Sequence, residues 1–231
     1  MLAAARGEQY NLSMEQPPAL TLATVRAALR LPLPGRAAQL SMAVQPRPGD
    51  RAHLPQACPH EAAVLLLLYQ RRGEWVLPLT RRSDTVASHK GQVSLPGGAR
   101  EPQDETLADT AVRETCEELG ILAQTIEVIG ALTPLYVPVS GYCVHPHVAH
   151  TRFIPLFHPQ TEEVAEILEA PLQQLLDPST RRVVIRVRDG QRYRVPLYQL
   201  QHHQVWGATA MILGEFVDLL RQALGTPLLE A

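Results

Sequence analysis

Three glutamates, Glu114, Glu117 and Glu118, lie within the run Arg113-Glu114-Thr115-Cys116-Glu117-Glu118-Leu119-Gly120. On a helix they share an arc of about 100°. Like charges at that spacing repel, each pair costing roughly 0.2–0.5 kcal/mol on an isolated helix. A divalent cation reverses the sign. All-oxygen donors suit Mg2+ or Mn2+, which keep water ligands and bridge to phosphate oxygens. The alternative reading of the same residues is a solvated acidic helix face. Upstream, Pro96-Gly97-Gly98 makes a tight turn. Asp104 and Glu105 fall at the expected helix start, where acidic side chains favour the N-terminal dipole.

The elements that must position these residues follow from pattern. Residues 105–119 carry helical periodicity, with Ala108, Ala111, Val112, Thr115, Leu119 and Leu122 on one face and Gly120 as the stop. Residues 62–69 form a short Val- and Leu-rich run, read as a buried strand. A polar turn at residues 71–74 leads to a second strand at 75–80. Residues 81–98 read as a loop. Strands are expected at 126–132 and 143–153, and helices at 161–168 and 171–176. Residues 182–187 and 193–198 read as a hairpin turning at Asp189-Gly190. Residues 21–31 and 207–224 read as helices, the latter with Met211, Phe216, Leu219 and Leu220 as core candidates. Strands and helices interleave but hairpins are present, which favours an α+β or three-layer domain over a doubly wound parallel sheet.

The chain has 231 residues, 45% hydrophobic and 19% charged, enough for a sizeable core and unlike a disordered chain. Its formal net charge of -2 gives no basic field for nucleic acid. Lys90 is the single lysine among 21 basic residues. The cysteines, Cys58, Cys116 and Cys143, are odd in number and have no CxxC spacing. A disulfide framework or structural zinc site is not expected, and a reducing, cytoplasmic setting is the default. The longest apolar run falls far short of the roughly 20 residues of a membrane span, and no apolar signal core is seen near the start. Met14 is an alternative start.

Residues 97–121, GGAREPQDETLADTAVRETCEELGI, resemble the Nudix box, G-x5-E-x7-R-E-U-x-E-E-x-G-U, where U is a bulky apolar residue. Counting back from Arg113 lands on Glu105, whereas counting forward from Gly98 lands on Asp104. The box is therefore one residue longer than the general pattern, an expansion similar to that of the branch cleaving coenzyme A. Thr115 replaces the first U residue. The segment before the box, Leu79-Thr80-Arg81-Arg82-Ser83, then Gly91 and Leu95-Pro96-Gly97-Gly98, resembles the coenzyme A signature L-L-T-x-R-S-x3-R-x3-G-x3-F-P-G-G. Pro78, Leu95 and Ala87 depart from it, and Ala87 removes an arginine. Further resemblance lies at residues 136–146, at Glu162-Glu163-Val164 with Pro171-Leu172, and at residues 206–210. It covers about residues 60–220.

This resemblance implies an α+β fold, a Nudix α/β/α sandwich with a mixed β-sheet. It implies metal-dependent hydrolysis of a diphosphate, with Mg2+ or Mn2+ as cofactor. Glu114 and Glu118 are expected as metal ligands, with Glu117 adding a ligand or water contact. Glu114 is a candidate base for the attacking water, Glu163 its rival, and Arg113 is expected to orient a glutamate. Arg81, Arg82, Ser83, Lys90, Gly97 and Gly98 are expected at the substrate. Tyr136, Tyr142 and Trp206 are the rings in reach for adenine stacking, with Tyr142 taken as a site residue. His145 and His147 share one face of a strand but are assigned to packing or surface, and Cys116 to a buried apolar role. The implied partner is a small molecule, coenzyme A or a related diphosphate, with neither nucleic acid nor membrane. A homodimer is left open. The rival readings are a Nudix enzyme for NADH, ADP-ribose or a nucleotide, and a non-catalytic nucleotide sensor. The expected organisation is a mobile extension at 1–20, a helix and Pro-rich connector at 21–59, the catalytic domain at 60–225 and a tail at 226–231.

Overall fold

The apolar run at residues 62–69 lies within the longest strand, β1 (His60–Arg71), which is buried over most of its length. Its missing alternation has a physical cause: a strand covered on both faces has no solvent side on which to place polar residues. The computed structural model describes residues 19–47, 58–83 and 91–228. The N-terminal extension expected at 1–20 falls almost entirely outside them, as do Ala87, Lys90 and the end of the C-terminal tail.

Two helices precede β1: α1 (Leu22–Ala28), capped by the Thr21 hydroxyl, and α2 (Gly35–Ser41). Then come β2 (Glu74–Arg82), β3 (Val93–Ser94), β4 (Gly97–Ala99), α3 (Leu107–Leu119), β5 (Glu127–Ala131), β6 (Leu135–Val137) and β7 (Tyr142–His150). The chain continues through β8 (Val164–Pro171), α4 (Leu172–Leu176), β9 (Arg181–Arg188), β10 (Gln191–Leu200), β11 (His203–Trp206) and α5 (Ala208–Ala223). Eight strands form one sheet whose main path is β3-β2-β1-β7-β5, with β4 on β1, β6 on β7 and β8 on β2. β1 and β7 run parallel, from His60 opposite Tyr142 to Leu68 opposite His150, while the other pairs are antiparallel, so the sheet is mixed. β9, β10 and β11 form a second, antiparallel sheet.

Alternate β1 side chains point to opposite faces. Ala63, Leu65 and Leu67 meet Ala111 of α3 and Ala149 of β7. Leu66 and Leu68 enter a larger core with Leu213, Phe216 and Leu220 of α5 and Val25 of α1. Each fully buried Leu or Phe contributes roughly 1.5–3 kcal/mol relative to exposure. Helices therefore cover both faces of the mixed sheet, as the α+β expectation of an α/β/α sandwich requires. Buried Glu215 of α5 accepts hydrogen bonds from the Gly35 and Thr133 amides, both at 3.2 Å, and from Gln39 Nε2 at 2.9 Å. That ties α2 and the end of β5 to α5. The β9–β10 hairpin turns at Asp189-Gly190, where both residues have positive φ (52° and 74°), the backbone a two-residue primed turn demands.

Four expectations are corrected. Residues 161–168, rich in helix-forming Glu, Ala and Leu, are not helical. β8 pairs with β2 from Pro171 to Val164, with a register shift opposite Arg81 and Arg82, and buried Leu168 and Ala170 face the core at the two-residue period of a strand. Tertiary pairing overrides propensity there. The Pro-rich connector contains α2, held by Glu215. Leu122 is exposed, because α3 ends at Leu119 and left-handed Gly120 turns the chain away. Cys58 and Cys143 are joined in a disulfide, their Cα atoms 5.8 Å apart across 85 residues of sequence. Spacing gave no hint of it, since the pairing follows from parallel β1 and β7, where Glu61 lies opposite Cys143. No helix among the described residues is long and apolar enough to cross a membrane.

Candidate active site

Helix α3 is set in place at both ends. Thr106 and Asp109 form a reciprocal capping box at its start, and Gly120 closes its end in the left-handed conformation. Its apolar side packs on β1 through Ala111. Its carboxylate side is thereby turned along the β4 backbone and toward β2.

Arg113 organises this side. Its Nε and Nη2 meet the two oxygens of Asp104 at 2.9 and 3.0 Å, a bidentate pair, and Nη2 also donates to the Ala99 carbonyl at 3.0 Å. Nη1 lies 3.0 Å from Glu114 and 3.2 Å from Glu117. Buried Asp104 further accepts the Glu101 amide and the Thr110 hydroxyl, each at 2.9 Å. The hydrogen-bonded guanidinium holds the Asp104 carboxyl far below its ordinary range and drives the Arg113 guanidinium the other way. The count that lands on Asp104 thus matches the structure, while Glu105 is exposed. Asp104→Ala should lower the unfolding free energy by roughly 3 kcal/mol, the low end for breaking a buried ion pair because Arg113 is partly exposed. Urea denaturation at pH 7 checks this, and a loss below about 1 kcal/mol would contradict it. The depressed carboxyl also fixes the sign with pH: its contribution is present above the ordinary carboxylate range and is lost on acidification below it.

The three glutamates of α3 differ sharply. Glu117 is exposed and turned onto Arg113. Glu114 is half-buried, and burial raises its carboxyl despite the opposing pull of Arg113. Glu118 is buried, 6% exposed, and its carboxyl is pushed up to about 8. Desolvation is the main cause; Glu114 and Glu163 add to it, while Arg82 and a 3.4 Å hydrogen bond from the Thr80 hydroxyl oppose it. Gly98 lies against Glu114, so that a Cβ there would sit 2.5 Å from its carboxyl carbon and both oxygens. Neighbouring Gly97 has φ +151°, and a Cβ there would come within 2.2 Å of the Ala63 carbonyl oxygen. The two glycines therefore serve different ends: Gly97 lets β4 close onto β1, and Gly98 leaves room for a carboxylate.

The donor chemistry fits a divalent cation, although the α3 carboxylates do not bring three oxygens within 4.8 Å of one another in this structure. The donors are hard oxygens, the most buried of them is held away from its charged form, and the backbone beside Glu114 is cleared of side chain. Arg82 and Thr80, two residues apart on β2, share the face toward Glu118. The Ser83 amide donates to the Glu163 carbonyl at 2.8 Å, bringing the Glu163 loop to the same end of the sheet. Glu114, Glu117, Glu118, Arg113, Gly97, Gly98, Arg82, Ser83 and Glu163 are thus gathered along one edge. Arg81 is engaged elsewhere, with Nε 3.2 Å from Glu166. Lys90 lies outside the described residues. Tyr142 packs on His60, ring centroids 5.3 Å apart, beside a cavity of about 490 Å3 that reaches Arg100, Glu101 and Asp104 of the loop before α3. Sequence reasoning quoted Thr80 in the segment before the box without giving it a role, and missed His60. The two-residue period of β2, which pairs Thr80 with Arg82, was the available signal for the first; for His60 there was none. Cys116 is half-buried rather than buried, with its thiol raised to about 11 by burial. His145 and His147 are half-buried on β7.

A mixed sheet carrying a glycine-cleared, carboxylate-rich helix with basic side chains at its end is suited to cleaving phosphate anhydrides with a metal. The family model and the sequence relatives agree. The NUDIX domain family model matches residues 59–187. The chain is 41% identical over 157 residues to a Photorhabdus laumondii protein described as the uncharacterized Nudix hydrolase NudL, covering 68% of this chain and 83% of that protein. It is 41% identical over 169 residues to the Yersinia enterocolitica protein of the same description, covering 73% and 84%. Among solved structures, the M. smegmatis Nudix hydrolase RenU aligns at 25% identity with a TM-score of 0.40, over 50% of this chain and 72% of that one. A MutT/nudix family protein from Enterococcus faecalis aligns at 18% identity with a TM-score of 0.45, over 75% and 70%. The chain is a hydrolase acting on phosphoric anhydride bonds. It belongs to the Nudix family, whose members generally use divalent metals and bind small-molecule diphosphates.

Proposed function

We propose that the protein hydrolyses the diphosphate bond of coenzyme A or its thioesters. The products are 4′-phosphopantetheine, or its acyl form, and adenosine 3′,5′-bisphosphate. The observation that carries this reading is the β2 segment Leu79-Thr80-Arg81-Arg82-Ser83, which resembles the coenzyme A signature and runs beside Glu118 and Glu163.

Glu114, Glu117 and Glu118 would hold Mg2+ or Mn2+. The bound metal supplies charge neutralisation at the phosphoryl oxygens and a lowered pKa for water. The chain's own groups do the rest. Glu114 or Glu163 accepts the proton of the attacking water. The water oxygen forms the new P–O bond, and the bridging anhydride oxygen leaves with the other phosphate. Arg113 orients Glu114 and Glu117, and Arg82 presents positive charge at the end of β2. Gly98 leaves Glu114 against the β4 backbone.

A second reading, hydrolysis of another nucleoside diphosphate derivative such as NADH or ADP-ribose, draws on two features. Ala87 stands where the signature has arginine, and Arg81 is paired with Glu166. Hydrolysis assays with Mg2+ or Mn2+ on coenzyme A, dephospho-coenzyme A, NADH and ADP-ribose, with products separated by chromatography, distinguish the readings. Coenzyme A should give adenosine 3′,5′-bisphosphate with the highest kcat/KM. Faster turnover of NADH or ADP-ribose would overturn the coenzyme A assignment and leave the Nudix chemistry standing. Tight nucleotide binding without turnover of any of them would favour a sensor.

A further inference from the structure

Among the described residues, one group brings three His, Cys, Asp or Glu donor atoms within 4.8 Å of one another, and it lies outside the α3 carboxylates. Glu166 of β8 contributes Oε1, which lies 3.1 Å from His203 Nε2 and 3.9 Å from His202 Nε2. We propose that Glu166, His202 and His203 form an accessory site for a borderline divalent transition ion, Zn2+ by its donor set.

The hairpin between β10 and β11 holds the histidine pair ready. Leu200 lies opposite His203 in register, leaving Gln201 and His202 as the two turn residues, with Gln201 at φ 52°. Gln199 Nε2 donates to the carbonyls of Gln201 and His203, both at 3.1 Å, and so clamps the turn. The two imidazole rings lie 3.9 Å apart, centroid to centroid. His203 is buried at 9% side-chain exposure, whereas His202 is 73% exposed and free to adjust. Tetrahedral zinc with bonds of about 2.0–2.1 Å places its ligand atoms ~3.3 Å apart. The observed separations close to that value with a shift of about 1–2 Å, which exposed His202 supplies.

The rest of Glu166 is already arranged for ligation. Arg81 donates to Oε2 at 3.2 Å, which orients the carboxylate and leaves Oε1 toward the histidines. Hydrogen bonding of a ligating carboxylate by an outer partner is usual in metal sites. Two imidazoles and one carboxylate suit zinc and its transition-metal neighbours, while Mg2+ prefers an all-oxygen, largely hydrated shell. The two centres therefore select different ions. A bound ion would staple the β10–β11 hairpin of the second sheet to β8 of the main sheet, with water completing its coordination.

The test uses tag-free full-length protein stripped of metal, compared with His202→Ala and Glu166→Gln. His202 is exposed in a turn, so its replacement leaves the fold and the Mg2+-supported turnover unchanged. Zn2+ affinity is measured by competition with a chromophoric chelator in excess Mg2+, and Co2+ is added separately as a spectroscopic probe. Wild type should take up one more Zn2+ than either variant, with the lost site weakened ~100-fold or more, since loss of even an outer-shell partner costs roughly 10–100-fold. Wild type should also show the visible absorption of four-coordinate cobalt, absent from both variants. Equal zinc stoichiometry and affinity in wild type and His202→Ala would overturn the proposal and leave a plain Glu166–His203 ion pair.

Discussion

Glu118→Gln should reduce kcat roughly 10²–10³-fold at saturating Mg2+, the scale on which removing one preorganised electrostatic contact acts. Glu118 is buried beside Glu114 and Glu163, and in the metal-free fold the cost of its charge outweighs what Arg82 and the Thr80 hydroxyl return. The same variant gives a second readout of opposite sign. In the metal-free protein the Glu118 carboxyl titrates at about 8, raised from 4.5. The folded state then holds the proton where the unfolded chain has released it. That stabilisation is complete below pH 4.5 and is lost as pH rises through about 8. A tenfold change in proton affinity is worth ~1.4 kcal/mol, so metal-free wild type should weaken by a few kcal/mol across that window. Glutamine does not titrate and removes this dependence. In EDTA at pH 9 the variant should therefore melt above wild type, although it is nearly inactive. Mg2+ should restore wild type and leave the variant unmoved. Thermal melts at pH 5 and pH 9, with and without Mg2+, check the sign. Near-wild-type kcat in Glu118→Gln would remove Glu118 from the metal site.

The second large effect separates two adjacent glycines. At Gly98 the three atoms nearest an added methyl all belong to the carboxylate end of the Glu114 side chain. A flexible side chain swings away, so Gly98→Ala should keep its melting temperature and lose roughly 10²-fold in kcat as Glu114 is displaced. At Gly97 the obstacle is the Ala63 carbonyl and the Val64 backbone, and φ is +151°. A Cβ there is strained by ~1–3 kcal/mol before the clash is counted. Gly97→Ala should therefore lower the melting temperature by several degrees, at roughly 2–4 °C per kcal/mol for a chain of this size. Activity and melts measured on both variants decide the matter. If Gly98→Ala retained full activity, Glu114 would not work from the position it holds against β4.

Local pattern carried much of this molecule. The 3.6-residue period placed α3 and put Glu114, Glu117 and Glu118 on one arc, because helix geometry is set by neighbours in sequence. Residues 62–69 were legible as a buried strand, and Asp189-Gly190 as a hairpin turn, for the same reason. The spacing of the box and of the segment before it pointed to the family, with one count landing on Glu105 and the other on Asp104.

What tertiary structure decided was every choice that rests on a distant partner. Asp104 prevails over Glu105 because it faces Arg113 nine residues on and is shielded from water there. Residues 164–171 become a strand because β2 offers its edge. Cys58 and Cys143 meet because β1 and β7 run parallel, and two odd-spaced cysteines carry no trace of that in sequence. Arg81 and Arg82, adjacent in the chain and alike in chemistry, take different partners: Glu166 holds Arg81, while Arg82 lies beside Glu118. Helical spacing is local and is encoded locally. The company a side chain keeps across a sheet depends on register, which appears only when the strands have paired.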